Sequence, residues 1–273
     1  MSTATANHQR QAPSQPAAAH GAETVIETKG LEIDFDGFKA VSGVDFAVRQ
    51  GELRFLIGPN GAGKTTLLDT LCGKVKPSKG QVLFKQSKVL NRMQEHEISR
   101  LGIGRKFQAP SIFSDLTTYE NLELSMKQDR GLFHALLARK SEADRRKIFE
   151  GLERVGLAGQ AGTKAGSLSH GEKQWLEIGM LLMQEPDLLL LDEPAAGMTD
   201  DETDKMGRFL QELSGERTII VVEHDMEFVR NFAQTVTVMH EGKILKEGTM
   251  DEVRSDKRVR EVYLGRSGDR SES

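Results

Sequence analysis

The 273 residues carry 37 Lys and Arg against 41 Asp and Glu, a formal net charge of -4, and a single cysteine, Cys72. That length can bury a sizeable core, and the charge offers no general attraction to nucleic acid or anionic lipid, so no nucleic-acid partner is expected. One cysteine excludes an internal disulfide or a cysteine metal cluster and suits a reducing compartment, and no apolar run is long enough to cross a bilayer.

Residues 1–22, rich in Ala, Gln, Ser, Pro and Thr, read as a disordered tail that lacks the apolar stretch of a signal peptide; 266–273 read as a second polar tail. Leu31, Ile33 and Phe35 alternate with acids, and Val44, Phe46 and Val48 with Asp45 and Ala47, which predicts two half-buried strands around a turn at Asp36-Gly37. Phe35 or Phe38 stands where a ring could stack on a nucleotide base, although core packing is the commoner use of such a ring.

Gly58-Pro59-Asn60-Gly61-Ala62-Gly63-Lys64-Thr65 is a complete G-x-x-x-x-G-K-[ST] phosphate loop. A strand ending at Ile57 precedes it and a helix beginning near Thr66 follows, the context the motif requires. The glycines let backbone N–H groups turn toward phosphate oxygens, Lys64 reaches the β- and γ-phosphates, and Thr65 sets a hydroxyl on Mg²⁺. Cys72, near the end of that helix, reads as packing. A turn at Lys76–Gly80 and a strand at Gln81–Phe84 come next.

From Asn91 the pattern becomes largely helical and charged. Gly104-Arg105-Lys106-Phe107-Gln108 opens it, the exposed-looking Ala109–Phe113 follows, and Ser141–Asp144 forms a capping box before Ile148, Phe149, Leu152 and Val155 on one face. Leu168-Ser169-His170-Gly171-Glu172 opens a further helix whose first amides and Ser169 hydroxyl make a second anion site. Leu188–Leu191 then delivers Asp192 and Glu193 at the carboxyl end of a buried strand. There Asp192 can bind Mg²⁺ directly or through water, and Glu193 can polarise an attacking water. Thr218–Val222 is another buried strand, ending in Glu223-His224. Met206, Phe209, Leu210 and Leu213 predict an amphipathic helix between them, Thr235–Met239 and Lys243–Glu247 predict strands about Glu241-Gly242, and Arg254–Arg260 reads as a solvated helical face.

The order of phosphate loop, Gln108, Leu168–Glu172, Asp192-Glu193 and His224 resembles the nucleotide-binding subunit of an ABC transporter, from about Thr24 to Gly265. Phe35–Val41, Ala195–Thr199 and Glu261–Gly265 resemble the branched-chain-amino-acid type of importer ATPase, and Leu168–Glu177 is similar, more narrowly, to the urea-importer ATPases of that group. The resemblance implies an α/β fold: a P-loop NTPase (RecA-like) core over 23–95 and 167–265 that includes an antiparallel β subdomain, with an inserted α-helical subdomain over 96–166. It also implies adenine stacking by Phe35 and nucleotide contacts from Gly58, Asn60, Gly61, Ala62, Gly63, Lys64, Thr65 and Thr66. Asp192 would serve Mg²⁺, Gln108 would sense Mg²⁺ or water, Glu193 would be the base and His224 the γ-phosphate switch. Ser169 and Gly171 would meet the γ-phosphate across a dimer with the same or a second ABC ATPase.

Permease subunits would dock on Ala109–Asn121, at the cytoplasmic face of the inner membrane, with an extracytoplasmic binding protein acting through them. The cargo implied is urea or a related short amide. Branched-chain amino acid import, lipid-conjugate export and a soluble ABC ATPase are the alternatives. A non-hydrolytic regulator is disfavoured, because Glu193 and His224 are both present. Two residues depart from the commonest pattern: His170 where glycine is usual, and Thr199 where aspartate is usual.

Overall fold

The computed structural model describes residues 23–106, 112–126 and 141–264, the side chain of Leu264 excepted. β1 (Thr24–Phe35) and β2 (Phe38–Arg49) pair antiparallel through Asp36-Gly37, both at positive φ, as a two-residue hairpin turn requires. β3 (Leu53–Ile57) and α1 (Lys64–Leu71) bracket the phosphate loop, and β4 (Lys79–Phe84) with β5 (Lys88–Val89) completes a four-stranded sheet of order β2-β1-β4-β5.

α2 (Glu95–Arg100) leads to β6 (Ile103–Lys106), then α3 (Thr118–Ser125) and α4 (Glu142–Arg154). α5 (His170–Leu182), β7 (Leu188–Asp192), α6 (Asp200–Ser214), β8 (Thr218–Val222) and α7 (Met226–Phe232) follow. β9 (Thr235–His240), β10 (Lys243–Gly248), α8 (Met250–Ser255) and α9 (Lys257–Leu264) close the described chain. The second sheet has order β10-β9-β3-β8-β7-β6, parallel from β9 to β6 and antiparallel only at the β9–β10 hairpin, whose Glu241-Gly242 turn is again at positive φ.

Every residue of β3, β7 and β8 is buried, which is why these strands read as continuous apolar runs. Their alternate faces feed two cores. Phe55, Leu189, Leu191 and Val221 pack toward α4 through α7, whereas Leu56, Leu188, Leu190 and Ile220 pack toward α1 and the antiparallel sheet. Burying each such side chain contributes about 1.5–3 kcal/mol, so both faces of the sheet are committed. Asp192 and Arg54 are the charged exceptions among them, Arg54 within its run. Arg54 donates to Glu52 at 2.6 Å, Thr237 at 2.7 Å and the Ala47 carbonyl at 3.2 Å, pairs with Glu247, and lies 5.5 Å over the Phe46 ring, so the buried charge ties the two sheets together.

Two sequence expectations are corrected. β6, within the stretch taken as helical from residue 96, pairs in register with β7 in the core sheet. Arg105 and Lys106 hide that strand from the sequence because they look solvated, yet their side chains are buried against acids. The basic run near the end is not one exposed face: α8 and α9 meet at Asp256, which is extended, and Val253 and Val259 are buried. No described helix is long and apolar enough to cross a membrane.

Candidate functional site

The phosphate loop turns at the carboxyl end of β3. A side chain at Gly58 would run into the Met239 carbonyl, and one at Gly63 into the Ala40 carbonyl, so strands β9 and β2 press the loop into a form that only glycine allows there. The first intrahelical bond of α1 is Leu67 N–H to the Gly63 carbonyl at 2.9 Å, and Gly63 supplies no side-chain cap. The amides of Lys64, Thr65 and Thr66 therefore remain free for a ligand at the helix start. Asn60, Gly61 and Thr65 are exposed beside them, and Ala62 is buried as the loop's anchor, its carbonyl accepting from Gly242 at 3.1 Å.

Lys64 Nζ donates to the carbonyls of Gly58 at 2.6 Å and Pro59 at 3.2 Å. Burial lowers its pKa, opposed by the charges of Asp192 and Glu193, so both acids lie within electrostatic reach of the ammonium. Asp192 ends β7 almost fully buried, and burial raises its pKa against the pull of Arg105. Its Oδ1 has no hydrogen-bond partner, the arrangement expected of a carboxylate built to face a cation.

Glu193 follows in the left-handed region at φ +49, held there by its N–H donating to Val222 of β8 at 2.9 Å and its carbonyl accepting from Ala196 at 3.2 Å. His224 Nδ1 stands 3.3 Å from Glu193 Oε1. The fold thus brings Lys64, Asp192, Glu193 and His224 together at the carboxyl ends of β3, β7 and β8.

Phe35 and Phe38 are both exposed, at 48% and 67%, at the β1–β2 turn. The core alternative for these rings is therefore set aside. Gln108 lies outside the described residues. Ser169 caps α5, accepting from Glu172 N–H at 3.2 Å, while Glu172 accepts from Ser169 N–H at 2.7 Å. Gly171 is buried against the Glu202 carboxylate. Among the described residues no hydrogen bond or ion pair joins this turn to the phosphate loop.

Sequence reasoning missed Arg105 and Glu223. Arg105 Nη1 reaches Asp69 Oδ1 of α1 at 2.6 Å, and its Nη2 lies 3.7 Å from Asp192 Oδ2, so a buried guanidinium spans the helix after the loop and the acid of β7. Glu223 is buried with its pKa pushed up to about 7 by burial, opposed first by the His224 N–H, from which its carboxylate accepts at 3.2 Å. The signal for Glu223 was a charge directly after an apolar strand; Arg105, in a strand with one apolar side chain, gave none.

Residues 41–196 match the family profile described as ABC transporter, and 247–269 match that of the branched-chain amino acid ATP-binding cassette transporter. The chain is 36% identical over 254 residues to the high-affinity branched-chain amino acid transport ATP-binding protein LivG of Salmonella typhimurium, covering 89% of this chain and 98% of that protein. It is 34% identical over 250 residues to BraF of Pseudomonas aeruginosa, of the same description, covering 88% and 98%. Among solved structures, a nucleotide-free ATP-binding cassette from an ABC transporter superposes with TM-score 0.78 at 31% identity, covering 88% of this chain and 98% of that one. The ADP conformation of such a cassette gives 0.77 at 31%, covering 89% and 99%.

Proposed function

The chain belongs to the ABC transporter family, among the branched-chain amino acid ATP-binding cassettes, and from that premise we propose that it binds and hydrolyses MgATP to drive import of a small polar solute. The observation that carries this reading is the convergence of Lys64, Asp192, Glu193 and His224 on one end of the sheet. Lys64, released from the Gly58 and Pro59 carbonyls, neutralises the β- and γ-phosphates together with the amides at the start of α1. Phe35 offers its exposed ring to the adenine, while Gly58 to Thr66 wrap the phosphates.

Asp192 Oδ1, buried and unpartnered, and the exposed Thr65 hydroxyl fit Mg²⁺, with Gln108 as a third candidate; the ion supplies charge neutralisation to the phosphates. Glu193 orients a water and takes its proton, and His224 holds that carboxylate from 3.3 Å and senses the γ-phosphate.

Ser169 and Gly171 form a second anion site that completes the nucleotide pocket of a partner ATPase, so the working unit is a pair with two ATP molecules between the chains. The pair sits on permease subunits at the cytoplasmic face of the membrane, fed by an extracytoplasmic binding protein. The descriptions of LivG and BraF favour branched-chain amino acids as cargo over urea. Urea is kept as the second reading on the run Leu168–Glu177 alone. Calorimetry of leucine and urea on the binding protein of the same transporter separates the two.

The pair is tested by size-exclusion chromatography with MgATP. Glu193→Gln removes the base, worth roughly 10²–10⁴-fold in rate, so ATP stays bound and the dimer accumulates. Adding Ser169→Arg blocks the second anion site and returns the monomer. A Glu193→Gln protein that binds ATP yet stays monomeric, alone and with a sibling ATPase, refutes the pairing.

A further inference from the structure

His170 is the first residue of α5 and follows Ser169 directly. Its Nε2 lies 3.0 Å from the Ala196 carbonyl oxygen, which can only accept, so Nε2 carries the proton. The Gln174 amide lies 3.3 Å from the same nitrogen, one turn along. With its oxygen turned toward that N–H, the amide is compatible with the same tautomer. Opposite the ring is Gly197 at φ +73, where a Cβ would come within 2.9 Å of Nε2 and 3.0 Å of Cδ2. Glycine at 197 thus serves both the left-handed turn and the space for the imidazole.

The bonds continue inward. Ala196 N–H donates to the Glu193 carbonyl at 3.2 Å, and Glu193 N–H donates to Val222 at 2.9 Å. On the far side Thr199 caps α6, and the Glu202 carboxylate, which accepts from Thr199 N–H at 2.9 Å, lies against Gly171. The two departures from the commonest pattern, His170 and Thr199, therefore stand on either side of one contact between the start of α5 and the loop that follows the catalytic acid.

We propose that His170 is a positioning residue for hydrolysis: its N–H fastens the start of α5 to residues 195–197, so that the second anion site and Glu193 of the same chain move as one unit. Glu193 sits in a backbone conformation that its surroundings must impose, and the His170 side chain hydrogen-bonds the loop imposing it. A phosphate engaging Ser169 and Gly171 then bears directly on the acid that serves the chain's other nucleotide. This last step rests on the reading that Ser169 and Gly171 face a partner's ATP.

The full chain carrying His170→Ala is compared with His170→Gln, whose amide nitrogen stands as many bonds from the backbone as Nε2. His170→Ala should lower kcat about 10-fold with KM for MgATP within about twofold, because a displaced acid slows the chemical step more than binding. His170→Gln should recover most of the loss. Should His170→Ala not fold, His170→Asn, too short to reach Ala196, replaces it. Unchanged kcat in the variant lacking the donor, an effect confined to KM, or equal impairment in His170→Gln overturns the positioning role. Glu193→Gln in parallel tests the pairing alone: a monomer with MgATP refutes that reading and leaves the kcat comparison standing.

Discussion

Glu223 carries a titration that belongs to the folded state. Burial lifts its pKa from 4.5 to about 7, so folding favours the protonated acid: the stability this group contributes is whole below about pH 4.5 and is lost as pH rises through 7. The displacement corresponds to about 3 kcal/mol at most. Urea unfolding at pH 5 and pH 8 should show the parent losing stability with pH and Glu223→Gln losing less; equal slopes would count against the assignment. Lys64 gives the complementary case. Its ammonium is the mobile cation of the phosphate loop, while the loop's shape is set by Gly58 and Gly63 against Met239 and Ala40. Lys64→Ala should weaken ATP binding by about 100-fold, the scale of one or two charge-assisted hydrogen bonds, with an unchanged melting curve. Retained affinity in the fluorescence titration would be the contrary result.

At the scale of elements, the segment between β6 and α3 offers its side chains unequally. Ile112 packs partly against the core, whereas Phe113 is 53% exposed while its backbone is held at both ends by Asn121. An exposed ring on a fixed backbone suits a partner's surface. Phe113→Asp should abolish transport in reconstituted complexes and leave basal hydrolysis within about twofold, whereas aggregation of the purified chain would assign the ring to folding. Elements governed by local chemistry are legible in the sequence. The phosphate loop, the Asp36-Gly37 and Glu241-Gly242 turns, the Ser141 cap and the buried strands ending at Asp192 and Val222 each follow from residues close in sequence. β6 was not legible, because the acids that neutralise Arg105 and Lys106 are Asp69, Asp192 and Glu177, distant in sequence. Nor was the grip of His170 on Ala196, which depends on how α5 lands against a loop 26 residues on. Sequence shows which groups could bind; only packing shows which buried charges find one another.

At the scale of the whole molecule, Arg54 joins what the chain separates: its guanidinium contacts β2, β9 and β10 from the start of β3. Arg54→Met removes the cation, leaving the half-exposed Glu247 to water and Glu52 with the Arg49 N–H, so the cost should fall near the low end of about 3–5 kcal/mol for breaking a buried pair. A change in unfolding free energy under about 1 kcal/mol would show that the sheets are held by their apolar faces alone. The strand order also bears on synthesis. β3 lies between β8 and β9, and the Gly51 N–H donates to Thr218, 167 residues further along the chain. On the ribosome, at about 5–20 residues per second, the strand that carries the phosphate loop waits roughly 10–30 s for either neighbour. Throughout that interval Leu53, Phe55, Leu56 and Ile57 form an apolar edge with nothing to pair with. The nascent chain is thus most in need of a chaperone while its nucleotide site is still half built.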